Sequence, residues 1–172
     1  MANIFTIQTL KDTTEHVTIK LTGKFDGSGQ EDNPARIAAN SLYGALNSVG
    51  TALSAGGNAL PFYGLNIVRV WYDTVNLSMS DVEIYWNATV QANGFFCSGN
   101  AEYDGNGNWL TIPNAAKGTA GCNGDIGIRT RGMQANSSYT IVMELRKDNA
   151  YYQRGQLNDP AAFNYPPYNI TP

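Results

Sequence analysis

The stretch Val17-Thr18-Ile19-Lys20-Leu21-Thr22-Gly23-Lys24-Phe25 decides the fold class. Val17, Ile19, Leu21 and Gly23 fall on one side of an extended chain; Thr18, Lys20, Thr22 and Lys24 fall on the other. Apolar and hydrophilic positions alternating with a period of two mark a half-buried antiparallel strand. Asp26-Gly27-Ser28-Gly29 follows with turn chemistry that ends it.

The pattern recurs along the chain. Residues 4–10 alternate, with Ile4 and Thr6 against Phe5 and Ile7. Residues 66–72 put Ile67, Arg69 and Trp71 on one face and Val68, Val70 and Tyr72 on the other. Residues 82–90 follow after a polar turn, and the two segments predict a hairpin-like pair. A weaker strand at 94–103, a short one at 109–112 and another at 125–130 come next. Residues 139–147 set Thr140, Val142 and Glu144 against Ile141, Met143 and Leu145. The segments 50–64 and 117–124 read as loops and 104–108 as a turn. Residues 33–49 support two readings. Asn33-Pro34 can cap a helix that lines up Ala38, Leu42, Ala45 and Val49, or a short strand at 36–39 can lead into an irregular excursion. About eight short strands between turn clusters predict an all-β fold, an antiparallel β-sandwich or jelly-roll-like single domain.

The C-terminal segment breaks from this pattern. After Lys147 it carries Pro160, Pro166, Pro167 and Pro172, which exclude an interior strand. It also carries Tyr151, Tyr152, Phe163, Tyr165 and Tyr168, whereas disordered tails are poor in aromatics. The organisation expected is a sandwich domain at 1–147 and an extended arm at 148–172. The five aromatics are its candidate anchors, set either on its own sandwich or on a neighbouring subunit.

Bulk composition narrows the function. The chain has 172 residues, a net charge of −3 and 15% charged residues, and no basic stripe to neutralise phosphates, so nucleic acid is not an expected partner. No apolar run approaches the length of a membrane span, and the N-terminus has no secretory pattern, so a product kept in the cytosol is expected unless an assembly carries it out. On that expectation the Asn-x-Ser/Thr sequons at Asn76, Asn87, Asn136 and Asn169 are discounted. The 18 glycines and 10 tyrosines, with many Asn and Thr, suit a β-rich protein whose polar, uncharged surface is cheap to desolvate.

Each candidate chemistry has a plainer counterpart. His16 is the sole histidine and has no nucleophile or orienting carboxylate in local sequence, so it reads as a strand-edge residue. Asp81 with Glu83, Glu102 with Asp104, and Glu144 are the carboxylates a glycosidase would need; Glu144 has no sign of burial on its face. Asp104-Gly-Asn106-Gly-Asn108 resembles the start of a calcium loop, but its twelfth position is Ala115, so a turn is the simpler reading. Cys97 and Cys122 either pair or stand as two small buried thiols; with one histidine they make no zinc site. Trp71, Tyr72, Tyr85, Trp86 and Trp109 could form a sugar-stacking platform, except that one member of each adjacent pair belongs to the core by strand alternation. No catalytic residue, metal or cofactor is expected.

Three segments carry a family resemblance: 124–128 (GDIGI), 139–147 (YTIVMELRK) and 155–165 (GQLNDPAAFNY). With 68–73 (VRVWYD) and 83–86 (EIYW) upstream, they resemble segments of small virion structural proteins of marine tailed phages, cyanophages especially. The resemblance spans about the last two-thirds of the chain and consists of strand and tail patterns, without a catalytic signature. It implies a non-enzymatic β-sandwich on the head surface of a virion, a decoration (cement) protein made in the host cytoplasm; a neck or tail component is the alternative. The partners implied are the major capsid protein or other virion subunits, and further copies of the chain in a homo-oligomer, a trimer being one option.

Overall fold

The computed structural model describes residues 2–45, 65–75, 80–104 and 111–147. Among these residues nine strands run in chain order: β1 (Ile4–Asp12), β2 (His16–Lys24), β3 (Asp32–Ile37), β4 (Leu65–Val75), β5 (Asp81–Trp86), β6 (Ala92–Cys97), β7 (Asn100–Tyr103), β8 (Ile126–Arg131) and β9 (Ser138–Lys147). Among the described residues the helical content is one 3-10 turn, Ala39–Ser41. The strands form two sheets, ordered β1-β2-β9-β4-β7 and β3-β8-β5-β6, with every pairing antiparallel.

This order is that of a jelly roll with one strand added. β2-β9-β4-β7 in one sheet and β3-β8-β5-β6 in the other are the two halves of a doubled Greek key, in which only the β1→β2 and β5→β6 connections stay within a sheet and the other six cross between them. β1 is the addition. It extends the first sheet beyond β2, while among the described residues the second sheet ends at β3, with no strand to set beneath β1.

The core lies between the sheets, and the opening strand supplies one wall of it. Val17, Leu145 and Ile67 are cross-strand neighbours on β2, β9 and β4, and Ile19, Met143 and Val70 form the next row. All six are buried, and each fully buried aliphatic side chain contributes about 1.5–3 kcal/mol. Val82, Ile84, Trp86, Ile126 and Ile128 face them from the second sheet. Trp86 keeps its one polar atom satisfied by donating Nε1–H to Leu65 O at 2.9 Å. Gly23 has a steric purpose: a Cβ there would stand 2.2 Å from Tyr139 Cε1, so the glycine makes room for the Tyr139 ring.

Four sequence expectations are corrected. The segments at 66–72 and 82–90 do not form a hairpin; β4 and β5 lie in opposite sheets, and the second strand stops at Trp86. Alternation is the same whether consecutive strands pair or cross between sheets, so the pattern could not separate the two. The faces of β4 are also re-sorted. A register shift between Ile67 and Arg69 leaves Ile67, Val68 and Val70 buried and Arg69 and Trp71 half-buried. Residues 94–103 are two strands in different sheets, divided at Gly99 with φ +78°. One member of each aromatic pair was expected in the core, but both Tyr85 and Trp86 are buried, and neither Trp71 nor Tyr72 is fully so. Of the two readings of 33–49, a strand is found, but at 32–37 and not at 36–39, with a short 3-10 turn at Ala39–Ser41; 46–49 lie outside the described residues. The all-β sandwich itself is as expected.

Candidate functional site

The five aromatic anchors Tyr151, Tyr152, Phe163, Tyr165 and Tyr168 lie outside the described residues, as does Trp109. The point from which the arm departs is described. Lys147, the last residue of β9, is buried, and its backbone N–H donates to Glu15 O at 2.7 Å. Its ammonium donates to the Asp12 carboxylate, to Thr13 O and to Tyr43 O. Burial pulls the lysine pKa down and the Asp12 carboxylate opposes this. Lys147, the residue before the segment expected to form the arm, is therefore fixed beside the C-terminal end of β1.

β1 is the least protected edge of the sandwich. A sheet edge presents unpaired backbone donors and acceptors, and proteins blunt such edges with charge, proline, bulges or short length. The other three edges show these devices. β3 contains Pro34 with Asp32 and Arg36, β7 is four residues long with Glu102, and β6 is bulged at Gly94. β1 runs nine residues, and its sequence from Ile4 to Leu10 (IFTIQTL) holds neither a charge nor a proline. Its bulge lies only at the far end, between Thr9 and Lys11, and one carbonyl, Thr6 O, accepts from Arg36 Nη2 at 2.8 Å. Ile4, Ile7 and Leu10 are 58%, 48% and 50% exposed. Ile7 sits opposite Leu21 on the core side of the sheet, yet it is uncovered because β1 overhangs the second sheet.

The outer face of the first sheet holds a shallow groove of about 360 Å³, lined among others by Trp71, Asp73, Asn100, Glu102 and Thr140. Trp71 stands between its cross-strand partners Val142 and Glu102, and Asp73 between Thr140 and Asn100. The Arg69 guanidinium lies 5.8 Å from the Trp71 ring. Of the described aromatics weighed as a sugar platform, Trp71 and Tyr72 line this groove. Tyr72 packs edge-on against Phe95 near the core, and Trp86 is interior.

The candidate carboxylates are dispersed. Glu83 is 1% exposed on the outward face of β5, where Arg131 donates to it at 2.8 Å and Arg129 lies 3.7 Å away. Arg129 in turn covers the Tyr85 ring at 4.9 Å and pairs with Asp32, whose other oxygen accepts from Tyr85 Oη–H. Burial, with Asp32 beside it, pushes the Tyr85 hydroxyl up to about 12. This arrangement is an ion network on the outer face of the second sheet, largely exposed at Asp32 and Arg131, and its buried acid Glu83 is already paired with two arginines. Glu144 is half-buried beside Arg69, as its neighbours in sequence implied, and Glu102 lies in the other sheet from Glu83. His16 begins β2, half-buried, with its backbone N–H bonded to Thr13 Oγ1. Cys97 and Cys122 are both buried free thiols, and burial raises Cys97 to about 12. Among the described residues no group of three or more His, Cys, Asp or Glu is placed to hold a metal ion.

Sequence reading missed two buried acids, Asp125, which accepts from Ala39 N–H, and Glu31. Glu31 is 4% exposed and accepts a hydrogen bond from the Tyr139 hydroxyl, while Arg36 Nε lies 3.3 Å from its other oxygen. Burial raises its pKa and the Tyr139 hydrogen bond opposes the rise. It lies in the link between the Gly29 turn and β3, where no periodicity marked it for burial. Compared with protein-family models, with curated proteins and with solved structures, the chain gives no match.

Proposed function

We propose that the protein is a non-enzymatic structural subunit of a tailed-phage virion, a decoration protein that binds and stabilises the head lattice. The observation that carries the subunit role is the β1 edge: a nine-residue strand, uncharged from Ile4 to Leu10, with three half-exposed aliphatic side chains, is a surface that a partner covers. The arm supports the same reading. It starts beside that edge at Lys147, and its prolines lower the entropy lost on docking. The virion itself enters through the resemblance of 124–128, 139–147 and 155–165. Jelly rolls serve viral capsid and lectin domains alike, so the fold is compatible with the role and does not choose it.

Co-sedimentation with heads that lack this protein tests the proposal. The wild-type chain binds saturably. A full-length variant with Tyr151, Tyr152, Phe163, Tyr165 and Tyr168 all changed to Ala binds at least tenfold more weakly, since each buried aromatic anchor is worth about 1 kcal/mol or more. Binding to tails and not to heads would move the protein to the neck or tail, and binding to neither would refute the proposal. The Trp71 groove favours a second reading, a carbohydrate-binding module: saturable glycan binding that Trp71→Ala abolishes would support it.

A further inference from the structure

We infer that the β1 edge pairs with β1 of a second copy of this chain, antiparallel about a twofold axis that passes at Ile7. The inference rests on the subunit reading above and names the partner of that edge.

The sequence of the edge is self-complementary in this register. Ile7 meets Ile7 of the second copy, Ile4 meets Leu10, Phe5 meets Thr9, and Thr6 meets Gln8. Large aliphatic side chains oppose each other at Ile7 and, with the bulged residue Leu10 drawn into register, at both Ile4–Leu10 pairs; these are the half-exposed aliphatic side chains of β1. Side chains directly opposite on antiparallel strands share a face, and apolar pairs there stabilise while like charges destabilise. The first charged side chain, Lys11, lies opposite the uncharged Asn3 of the second copy, so no like charges meet. The pairing would join two five-stranded sheets into one of ten strands and remove both edges. A strand paired with its own copy this way is an isologous contact that closes at two chains.

The segment that follows Lys147 is the competing occupant, because Lys147 is held beside Asp12. Its chemistry fits the edge less well. The proline-free part, 148–159, carries Asp148, Arg154 and Asp159 and is interrupted by Gly155, and beyond it stand Pro160, Pro166 and Pro167. Charged and proline-containing segments protect edges rather than fill apolar ones.

Sedimentation equilibrium of the full chain at about 100 µM tests the pairing. Wild type is expected at twice the 18.6 kDa chain mass. Ile7→Lys sets two ammonium groups face to face on the axis and is expected at the single-chain mass, with an unchanged circular dichroism spectrum, a cooperative thermal transition, and a midpoint that no longer depends on protein concentration. Ile7→Glu alone behaves likewise, and an equimolar mixture of the two variants recovers the doubled mass. A wild type that stays monomeric, an Ile7→Lys chain that still dimerises, or a Lys/Glu mixture that fails to pair would each overturn the inference. So would loss of the dimer in the five-alanine arm variant, which would make the arm the occupant. A monomer that still binds heads refutes the pairing and leaves the decoration role standing; a dimer that binds no heads supports the pairing and refutes that role.

Discussion

Tyr139→Phe isolates the hydrogen bond that Glu31 receives inside the sandwich. Tyr139 is 1% exposed and Glu31 4%, so water cannot replace the lost hydroxyl. A hydrogen bond to a charged acceptor is worth about 1.5–3 kcal/mol, and an amide acceptor in its place about 1. The substitution should therefore cost about 2 kcal/mol at neutral pH, measured by urea denaturation, and only about 1 kcal/mol in a Glu31→Gln background. The pH dependence has a defined sign. Burial raises the Glu31 pKa above its ordinary 4.5, and the Tyr139 hydroxyl holds that rise back. A carboxyl whose folded pKa stands above its unfolded value favours folding most at pH below the unfolded value, and that contribution is lost as pH rises through the folded pKa. Tyr139→Phe removes the restraint, so the Glu31 titration moves further up. The cost of the substitution then shrinks as pH falls through that window, where the acid takes up its proton and the bond becomes a neutral one. The carboxyl carbon shift of Glu31, followed by NMR, reports the movement directly. Equal losses in the wild-type and Glu31→Gln backgrounds at every pH would mean that ring packing, and not the hydrogen bond, carries the effect.

Three further outcomes follow from the same geometry. Gly127→Ala would place a Cβ 2.4 Å from Tyr85 Cζ and push the ring from beneath Arg129; a loss of about 1–3 kcal/mol is expected, and most of it should vanish when Tyr85 is first changed to Leu. Lys147→Met keeps the aliphatic stem but takes the ammonium donor away from the Asp12 carboxylate and the carbonyls of Thr13 and Tyr43, so denaturant midpoints should report a loss of about 3 kcal/mol. Neither Cys97 nor Cys122 should react with a chromogenic disulfide at about pH 8 in the native chain, and both should react in denaturant without prior reduction; one or no thiol released there would contradict the free buried pair.

Strands whose two faces differ were legible in the sequence. β2 and β9 were read with the correct inward residues, because alternation over nine or ten positions leaves one way to bury Val17, Ile19 and Leu21 or Ile141, Met143 and Leu145. β4 was read with a face inverted at Ile67, since a one-residue bulge reverses alternation without leaving a sign in composition. The thiols and His16 were placed by their plainer readings, and Glu31 was not placed at all, because a single acid in a turn-rich link has no period to betray its burial.

By itself the sequence determined the fold class, since alternating strands with turn clusters admit few alternatives to a sandwich, and it singled out the arm, since prolines and aromatics are local facts. Which strands pair, and therefore where the sandwich ends, only the tertiary structure decided. Alternation describes the two faces of a strand and says nothing of its two edges. That β1 overhangs β3, and that Ile4, Ile7 and Leu10 remain uncovered, follows from placing five strands over four. The residues 4–10 carry the same letters in either case; long-range pairing among the described residues makes them an edge, and the second sheet's ending at β3 leaves Ile7 exposed.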